Sequence, residues 1–438
     1  MSFIADQQTL GDLALLGKFN PGSVFSLFNK VRTRGGEKML DAMFLHPLQD
    51  TAAINARSDG FKYFHQHPVS LPFGGDCTEQ VEAFLDEGCA GSYPAVLWQV
   101  FRKKLAATLV KGEELEGVIN GVKSCTAFLE KCKSLLSQLE AGGAGEKAPW
   151  KNWVLTLKKI LDNDRLSRAM YNHTISITGL AGLQHLLAHT LQEPMKELLR
   201  LSYEMDVQVT VAEVARAKKF AFAEAIENDT SIIEMKGLRH PALDHGVPND
   251  LQFNEANNTL FLTGANMAGK STLMKSSGIA VYLAHMGFPV ACSAMRFTVM
   301  DGIYSSVNVP DDLNSGYSHF YAEVLRVKKV AEEVCQNKKL FVIFDELFKG
   351  TNVKDAYDAT LAVTAAFASF RNSFFIISTH IIEVGDELNK KDDSIRFSFL
   401  PTVMEGNIPK YTYRLQPGIT EDRQGMIILE NEGILKML

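Results

Sequence analysis

The sequence Gly264-Ala-Asn-Met-Ala-Gly-Lys-Ser271, with Thr272 next, follows the pattern GxxxxGK[ST]. An apolar run, Leu260–Thr263, comes before it, and a segment with helical spacing, Ser271–Leu283, comes after it. A strand, a glycine-containing loop and a helix in this order predict a P-loop, in which successive backbone N–H groups face bound phosphates. A glycine-rich turn could match the pattern by chance, but the flanking strand and helix favour the P-loop.

The residue types of this loop suit phosphate binding for separate physical reasons. Gly264 and Gly269 let the backbone turn where a side chain would hinder it. Lys270 would place a positive charge against the β- and γ-phosphates, and the Ser271 hydroxyl would ligate Mg²⁺. The predicted nucleotide-binding residues are Gly264, Ala265, Asn266, Met267, Ala268, Gly269, Lys270, Ser271 and Thr272.

Two further apolar runs end in residues that could complete a reaction site. Leu340–Phe344 is followed by Asp345 and Glu346, about 75 residues after the P-loop. Alone, such acids could belong to a solvated turn. After a P-loop they predict that Asp345 holds Mg²⁺, through water, and that Glu346 orients and polarises the attacking water. The run Phe374–Ser378 leads to His380, which could be structural but in this order is predicted to contact the γ-phosphate.

The spacing of apolar residues divides the chain near residue 235. Before this point they recur at three- and four-residue steps, as in Leu198, Leu201 and Met205, which predicts an all-α domain over 1–235. After it, short apolar runs alternate with helical patterns. This alternation predicts an α/β domain, with a parallel sheet covered on both faces, over 236–438.

Within the helical part, three local features stand out. The segment 141–149 (AGGAGEKAP) is predicted to be an exposed loop. Residues 165–228 are predicted to form two long helices with a break just before Pro194, because proline lacks a backbone donor. The stretch Val211–Ala225 contains many good helix formers and is predicted to be helical.

Composition limits the possible classes of protein. With 438 residues, 46% hydrophobic and 22% charged, the chain is neither disordered nor collagen-like and has room for two or three domains. Its formal net charge is -6; residues 1–240 contain 27 basic and 28 acidic residues, so binding of nucleic acid through bulk charge is disfavoured. Six scattered cysteines, no signal-peptide pattern and no long apolar run predict a cytoplasmic protein with reduced thiols and no membrane span.

Several stretches resemble the ATPase domain of the MutS family of DNA mismatch-repair proteins. They are the P-loop GANMAGKST, Asp311-Asp-Leu-Asn-Ser-Gly-Tyr-Ser318-His-Phe-Tyr-Ala-Glu323, FDELFKGTN at 344–352, Ser378-Thr-His380, Arg239-His-Pro241, Val247-Pro-Asn-Asp250 and Tyr413-Arg-Leu-Gln-Pro-Gly418. Upstream, residues 9–59 and the stretch Met205–Ala225 are similar to the family's core, or lever, domain. The resemblance therefore implies an ABC-type P-loop ATPase domain preceded by a helical lever.

The resemblance also implies roles that spacing alone does not give. ATP and Mg²⁺ would bind at composite sites in a homodimer, where Ser318 contacts the γ-phosphate of the partner's nucleotide and Gly350-Thr351 faces the opposite subunit. Gly246 stands where the family often has an aromatic residue, which leaves adenine stacking there in doubt. Since the chain begins at the core domain, we expect no N-terminal mismatch-reading domain and little room for a DNA clamp.

Three weaker signals have simple structural explanations. His185 and His189 are four residues apart and could be metal ligands, but the apolar helical surroundings favour structural roles. The cluster Arg102-Lys-Lys104 is read as a solvated helix face rather than a DNA patch. Trp150 and Trp153 are predicted to pack in the core rather than to stack on nucleic-acid bases.

Two functions remain open at this point. The favoured one is a dimeric MutS-like ATPase, with Lys270, Glu346, His380 and Ser318 as catalytic residues and Ser271 and Asp345 at the metal, that moves a helical lever and acts in DNA repair on mismatched or branched DNA. The alternative is a nucleotide-gated binding or scaffold protein with negligible hydrolysis and no mismatch recognition, suggested by departures such as Lys349 in place of arginine.

Overall fold

The computed structural model describes residues 3–17, 20, 22–109, 113–141, 148–166, 176–265, 267–307, 319–405, 408–420 and 437. Contacts divide the chain into two units: unit 1 is Met1–Leu27, Phe44–Asp59 and Val214–Leu438, and unit 2 is Phe28–Met43 and Gly60–Glu213. The predicted division at residue 235 differs from these units, since the N-terminal segments 1–27 and 44–59 group with the part of the chain that contains the P-loop sequence. Asn266 and Ser318, both predicted site residues, lie outside the described residues.

The helices and strands are numbered in chain order. The helices are α1 Gln7–Asp12, α2 Val24–Phe28, α3 Arg34–Leu45, α4 Thr51–Gln66, α5 Gly75–Glu87, α6 Tyr93–Leu109, α7 Glu113–Ala141, α8 Lys151–Leu161, α9 Ile177–His185, α10 Gln192–Lys218, α11 Lys270–His285, α12 His319–Cys335, α13 Val353–Ala368 and α14 Ile382–Leu388. The strands are β1 Ile4–Ala5, β2 Ala221–Phe222, β3 Glu224–Ile226, β4 Ile232–Leu238, β5 Asn249–Asn254, β6 Thr259–Gly264, β7 Pro289–Val290, β8 Ala294–Thr298, β9 Gly302–Ser306, β10 Leu340–Phe344, β11 Phe374–Ser378, β12 Ile395–Leu400, β13 Thr402–Glu405, β14 Ile408–Tyr411 and β15 Gln416–Pro417. Within the described residues, no helix combines the length and apolarity needed to cross a membrane.

A seven-stranded sheet forms the centre of unit 1, in the order β1-β9-β10-β11-β6-β12-β15. Neighbouring strands are parallel except for β12 and β15. Strands β6, β9, β10 and β11 are buried along their whole length, as expected for parallel strands covered on both faces. The three apolar runs therefore form strands as predicted, and the predicted helix after the P-loop is α11.

The first residues of the chain belong to this sheet rather than to a helical domain. Strand β1 pairs with β9 through Ile4 and Gly302. Asp6 caps α1, and its carboxylate binds Arg326 and Lys329 of α12, the latter at 2.8 Å. Burial acts to raise the pKa of Asp6, but these hydrogen bonds hold it well below its usual range. The prediction of an all-α segment from the first residue is wrong here, because the edge of β9 accepts a strand.

The helix predicted over Val211–Ala225 ends earlier than its composition suggests. Helix α10 stops at Lys218, and Lys219 takes a left-handed conformation, φ 53°. The following residues pair with strands instead: β2 pairs with β7, and β3 lies at the edge of a second sheet, in the order β3-β8-β4-β5. Strand pairing overrides helix propensity, which is a weak preference per residue.

Unit 2 is helical and has one continuous apolar core. Trp150 and Trp153 are buried in it; Trp150 Nε1 donates to Tyr63 Oη at 3.1 Å and Trp153 Nε1 to Ser202 Oγ at 2.9 Å. Their predicted packing role is confirmed. The predicted break before Pro194 is also observed: a π-helical turn, Leu186–Thr190, separates α9 from α10, so that proline falls in the first turn of a helix, where its missing N–H is tolerated.

A buried carboxylate joins α3 to α10 within unit 2. Asp206 accepts hydrogen bonds from the backbone N–H groups of Arg32 and Thr33 and from the Thr33 hydroxyl, the last at 2.7 Å. Thr33 Oγ1 in turn accepts the Gly36 N–H, which caps α3. A Cβ at Gly35 would lie 2.1 Å from Tyr203, so the two helices can approach this closely only with glycine there.

His285, the last residue of α11, is fully buried. The Met300 N–H donates to His285 Nε2 at 2.9 Å, so Nδ1 carries the proton and donates to the Val281 carbonyl at 2.8 Å. Both bonds suit the neutral ring, and protonation of Nε2 would abolish the first. Burial lowers the pKa of His285 to about 4.

We expect His285 to make unit 1 less stable in mild acid. The unfolded chain takes up a proton below about pH 6.5, whereas the folded chain does so only near pH 4, so stability falls as the pH drops between these values. Wild type should lose about 2 kcal/mol more than His285→Gln between pH 7 and pH 5, measured by denaturant unfolding. The exposed His245, changed to Gln, serves as control. Equal losses in wild type and His285→Gln would contradict this account.

Candidate functional site

The loop between β6 and α11 turns through two glycines in unusual conformations. Gly264 has φ 139° and Gly269 has φ 100°, both in the region that favours glycine. Space is also restricted: a Cβ at Gly264 would lie 3.2 Å from the Leu400 carbonyl, and one at Gly269 would lie 3.1 Å from the Tyr413 ring. The loop therefore has the tight backbone path that the pattern predicted.

Lys270 begins α11 and is almost fully buried. Its ammonium donates to the Gly264 carbonyl at 2.7 Å and to the Ala265 carbonyl at 3.1 Å. Burial lowers the pKa of Lys270, and the carboxylates of Asp345 and Glu346 act in the opposite direction. The loop's own carbonyls thus hold a positive charge at its mouth, where a helix N-terminus adds to the attraction for anions.

The Asp345 carboxylate bridges two elements at the carboxyl end of the sheet. Its Oδ2 accepts the Ser271 hydroxyl of α11 at 2.5 Å, and its Oδ1 accepts the Ser378 hydroxyl of β11 at 2.5 Å. Its own N–H donates to the Ser306 carbonyl at the end of β9. A carboxylate and a hydroxyl oxygen in contact are hard ligands of the kind Mg²⁺ takes, with phosphate and water oxygens completing its shell.

Glu346 and His380 form the second polar pair at this edge. His380 Nε2 donates to Glu346 Oε1 at 2.6 Å, and Lys349 Nζ lies 3.7 Å from Oε2. The hydrogen bond from His380 lowers the pKa of Glu346, against the smaller opposing effect of burial. The Glu346 backbone is left-handed, φ 54°, and its N–H donates to Ser378 Oγ. An ionised carboxylate held in this way can accept a proton from water.

A cavity of about 510 Å³ opens beside the P-loop, the size of a small-molecule site. The sequence did not predict that Tyr413, His240 and Leu243 line it, although Tyr413 and His240 lie in stretches that resemble the MutS family. Gly246, where the family's aromatic residue is absent, also lines the cavity, as does the half-exposed Tyr413. The lining residues are Leu238, Arg239, His240, Leu243, His245, Gly246, Val247, Asn249, Met267, Ala268, Gly269, Thr272, Leu273, Ser276, Leu400 and Tyr413.

Asn249 fixes the segment that presents Tyr413. Its Nδ2 donates to the Tyr413 carbonyl at 2.9 Å, and its Oδ1 accepts the Leu415 N–H at 2.7 Å. Burial lowers the pKa of the neighbouring His240, with Lys275 adding to the effect. Asn249 therefore holds the part of the cavity wall that carries the Tyr413 ring.

Of the other residues predicted from the sequence, Thr351 lies near the Glu346–His380 pair, whereas His185 and His189 lie in unit 2. Thr351 lines a small cavity of about 170 Å³ together with Glu346 and His380. The rings of His185 and His189 stack, with centroids 4.9 Å apart. In the part of the chain that the structure describes, no group of three or more His, Cys, Asp or Glu residues could hold a metal ion, so the two histidines have no further such ligand.

Together, the turned loop, the buried lysine and the Asp345 bridge define unit 1 as a P-loop nucleotide-binding domain of mixed α/β architecture. A sequence family described as MutS domain V matches residues 260–436. The relatives below are MutS proteins too, so both comparisons relate this chain to the MutS family.

The chain is similar to DNA mismatch repair proteins MutS from several bacteria. It is 26% identical to that of Staphylococcus epidermidis over 361 residues, 78% of this chain and 39% of that protein. It is 29% identical to that of Fusobacterium nucleatum over 223 residues, 47% and 24% of the two chains, and 31% identical to that of Thermus aquaticus over 195 residues, 44% and 23%. The chain thus spans no more than about two fifths of the length of these relatives.

Proposed function

We propose that the chain is an ATPase that uses Mg²⁺ and couples hydrolysis to motion of its helices. One observation carries this proposal: Lys270, the Ser271–Asp345 pair and the Glu346–His380 pair meet at the carboxyl ends of three adjacent strands, β10, β11 and β6. This edge is where parallel α/β sheets bind their ligands. The MutS relationship supports the same proposal for ATP.

Each group has a role that follows from its position. Lys270 would turn its ammonium from the loop carbonyls toward the β- and γ-phosphates. Ser271 and Asp345 would hold Mg²⁺, which supplies charge neutralisation for the leaving phosphates. Glu346 would orient the attacking water and accept its proton, while His380 positions Glu346 through the 2.6 Å hydrogen bond.

The site would be completed by a second copy of the chain. The family resemblance assigns Ser318 to the γ-phosphate of the partner's nucleotide. Closure of two such sites would pull the ATPase units together and move the helical lever, which is the coupling we propose. The names of the relatives extend the proposal to DNA mismatch repair. Action on branched DNA and a cytoplasmic location belong to the same proposal and rest on the sequence alone.

A second function, nucleotide-gated binding with negligible hydrolysis, has one structural observation in its favour. Both oxygens of the Glu346 carboxylate face a cationic or donor group, His380 at 2.6 Å and Lys349 at 3.7 Å. Both contacts compete with water for the lone pairs of Glu346 and would make it a weaker base. If the base is too weak for hydrolysis, ATP binding alone would drive the conformational change.

Hydrolysis tests the first function against the second. We expect Glu346→Gln to lower single-turnover phosphate release at least about 100-fold while ATP still binds, because only the base is lost. Lys270→Ala should weaken ATP binding as well. Lys328→Ala and Glu332→Gln, on the exposed face of α12, are matched controls and should behave like wild type. Background hydrolysis by wild type with intact ATP binding would support the second function, and full turnover by Glu346→Gln would contradict the first.

The affinity for ATP tests whether the adenine base binds in the cavity beside the P-loop. If the adenine base stacks on Tyr413, Tyr413→Ala should raise the dissociation constant for ATP about tenfold, as expected for loss of one aromatic stacking contact. Tyr413→Phe keeps the ring and should bind within about twofold of wild type. Calorimetric titration with ATP measures both. Unchanged affinity in Tyr413→Ala would place the base elsewhere.

DNA binding is a separate part of the proposal and can be tested independently of ATP hydrolysis. We expect a gel-shift titration to show binding of branched or mismatched duplexes that weakens at least about tenfold between 50 and 200 mM salt, because contacts to phosphates release counterions. Perfect duplex is the control, with and without ATP. If no DNA form binds near physiological salt, the repair function is excluded while the ATPase function is unaffected.

A further inference from the structure

Helix α6 of unit 2 carries apolar residues on two opposite faces. Val96 and Val100 are buried in the core. Trp98, Phe101 and Leu105 are 64%, 44% and 51% exposed. At 100° per residue, this second group lies about 150° around the helix from the two valines. A helix that is apolar on both sides is suited to packing on both sides.

The exposed group has the spacing of a helix-packing seam. The steps from Trp98 to Phe101 and from Phe101 to Leu105 are three and four residues, so the three occupy successive a, d and a positions of a heptad. The Trp98 and Phe101 rings stack on each other, with centroids 6.2 Å apart and an angle of 28°. The seam is thus a continuous apolar surface about 10 Å long along the helix axis.

Basic residues flank the seam on both sides. In the same heptad, Arg102 occupies the e position and Lys104 the g position, and both are exposed. These positions set the choice of partner helix through charge. In the described part of the chain, neither side chain lies within ion-pairing distance of a carboxylate. Two unpaired cations beside an apolar seam call for a partner with acidic flanks.

The same charges disfavour two other occupants. If a second copy of α6 packed antiparallel and centred on this seam, Arg102 and Lys104 would each face their own counterpart, which is destabilising. In a parallel pair, neither would gain an acidic partner. Nucleic acid would need a field of positive charge, but unit 2 contains 20 basic and 20 acidic residues. The stacked rings of Trp98 and Phe101 also occupy part of each other's faces, which single-stranded bases would need.

We propose that this face of α6 is a docking site for an acidic amphipathic helix of a partner protein. The partner helix lays apolar side chains against Trp98, Phe101 and Leu105, and its acidic residues pair with Arg102 and Lys104. This is the helix-on-helix mode of peptide recognition, in which residues three and four apart act as anchors. The docking site is independent of ATP hydrolysis, so its test does not depend on the ATPase proposal.

The test uses the full chain and three labelled helical peptides of about 20 residues. The first has leucine at a and d and glutamate at e and g, the second has lysine at e and g, and the third has serine at a and d. We expect the first to bind at least about tenfold more tightly than either of the others, measured by fluorescence anisotropy. Preference for the first peptide requires both the seam and its charges.

Substitutions in the chain test whether the first peptide binds to this face of α6. Trp98→Ser with Phe101→Ser should weaken the first peptide at least about tenfold, and Arg102→Glu with Lys104→Glu should reverse the preference between the first two peptides. Leu155→Ser is the matched control, because Leu155 is 66% exposed on α8 of the same unit. Thermal unfolding followed by circular dichroism confirms that these exposed substitutions leave the fold intact.

Three results would overturn the proposal. The first is equal affinity for the acidic and basic peptides, or binding that survives in the Trp98/Phe101 variant. The second is concentration-dependent self-association in sedimentation that the same variant abolishes, which would make the seam a contact between copies. The third is binding of a single-stranded oligonucleotide that this variant abolishes and that displaces the first peptide.

Discussion

The arrangement of the site depends on the hydrogen bonds that the Asp345 carboxylate accepts. It joins the end of β10 to the Ser271 hydroxyl of α11 and to the Ser378 hydroxyl of β11, each at 2.5 Å. Through Ser378 it also orients the Glu346 backbone, and so the carboxylate that meets His380. Because β10, β11 and β6 are parallel neighbours, their carboxyl ends open at one edge, and residues distant in sequence meet there.

The same sheet explains why the units are not contiguous in sequence. The edge of β9 accepts β1, and the ion pair between the partly buried Asp6 and the buried Arg326 fixes the first helix beside it. Residues 44–59 also belong to unit 1. The four divisions between the units fall within α2, α3, α4 and α10, so each of these helices continues from one unit into the other. Such continuity suits the proposed transmission of motion along a lever.

The two units differ in the kind of chemistry they offer. Unit 1 concentrates buried and strained polar groups at one edge: Lys270 with a lowered pKa, Glu346 in a left-handed conformation and the cavity beside Tyr413. Unit 2 has balanced charge and a tightly packed core, and its distinctive surface is the apolar seam of α6. The proposed phosphate chemistry therefore belongs to unit 1, whereas the proposed recognition of a protein partner belongs to unit 2.

Sequence patterns alone were enough to predict the P-loop, the strands that lead to Asp345 and His380, the helix after the loop and the break before Pro194. These features rest on local patterns: glycines at fixed spacing, continuous apolar runs and a missing backbone donor. Three features became visible only in the folded chain: β1 joins the sheet, α10 ends at Lys218 and Tyr413 lines the cavity beside the P-loop. Each of these depends on a partner far away in sequence, and the pairing of distant segments leaves no periodicity in the chain itself.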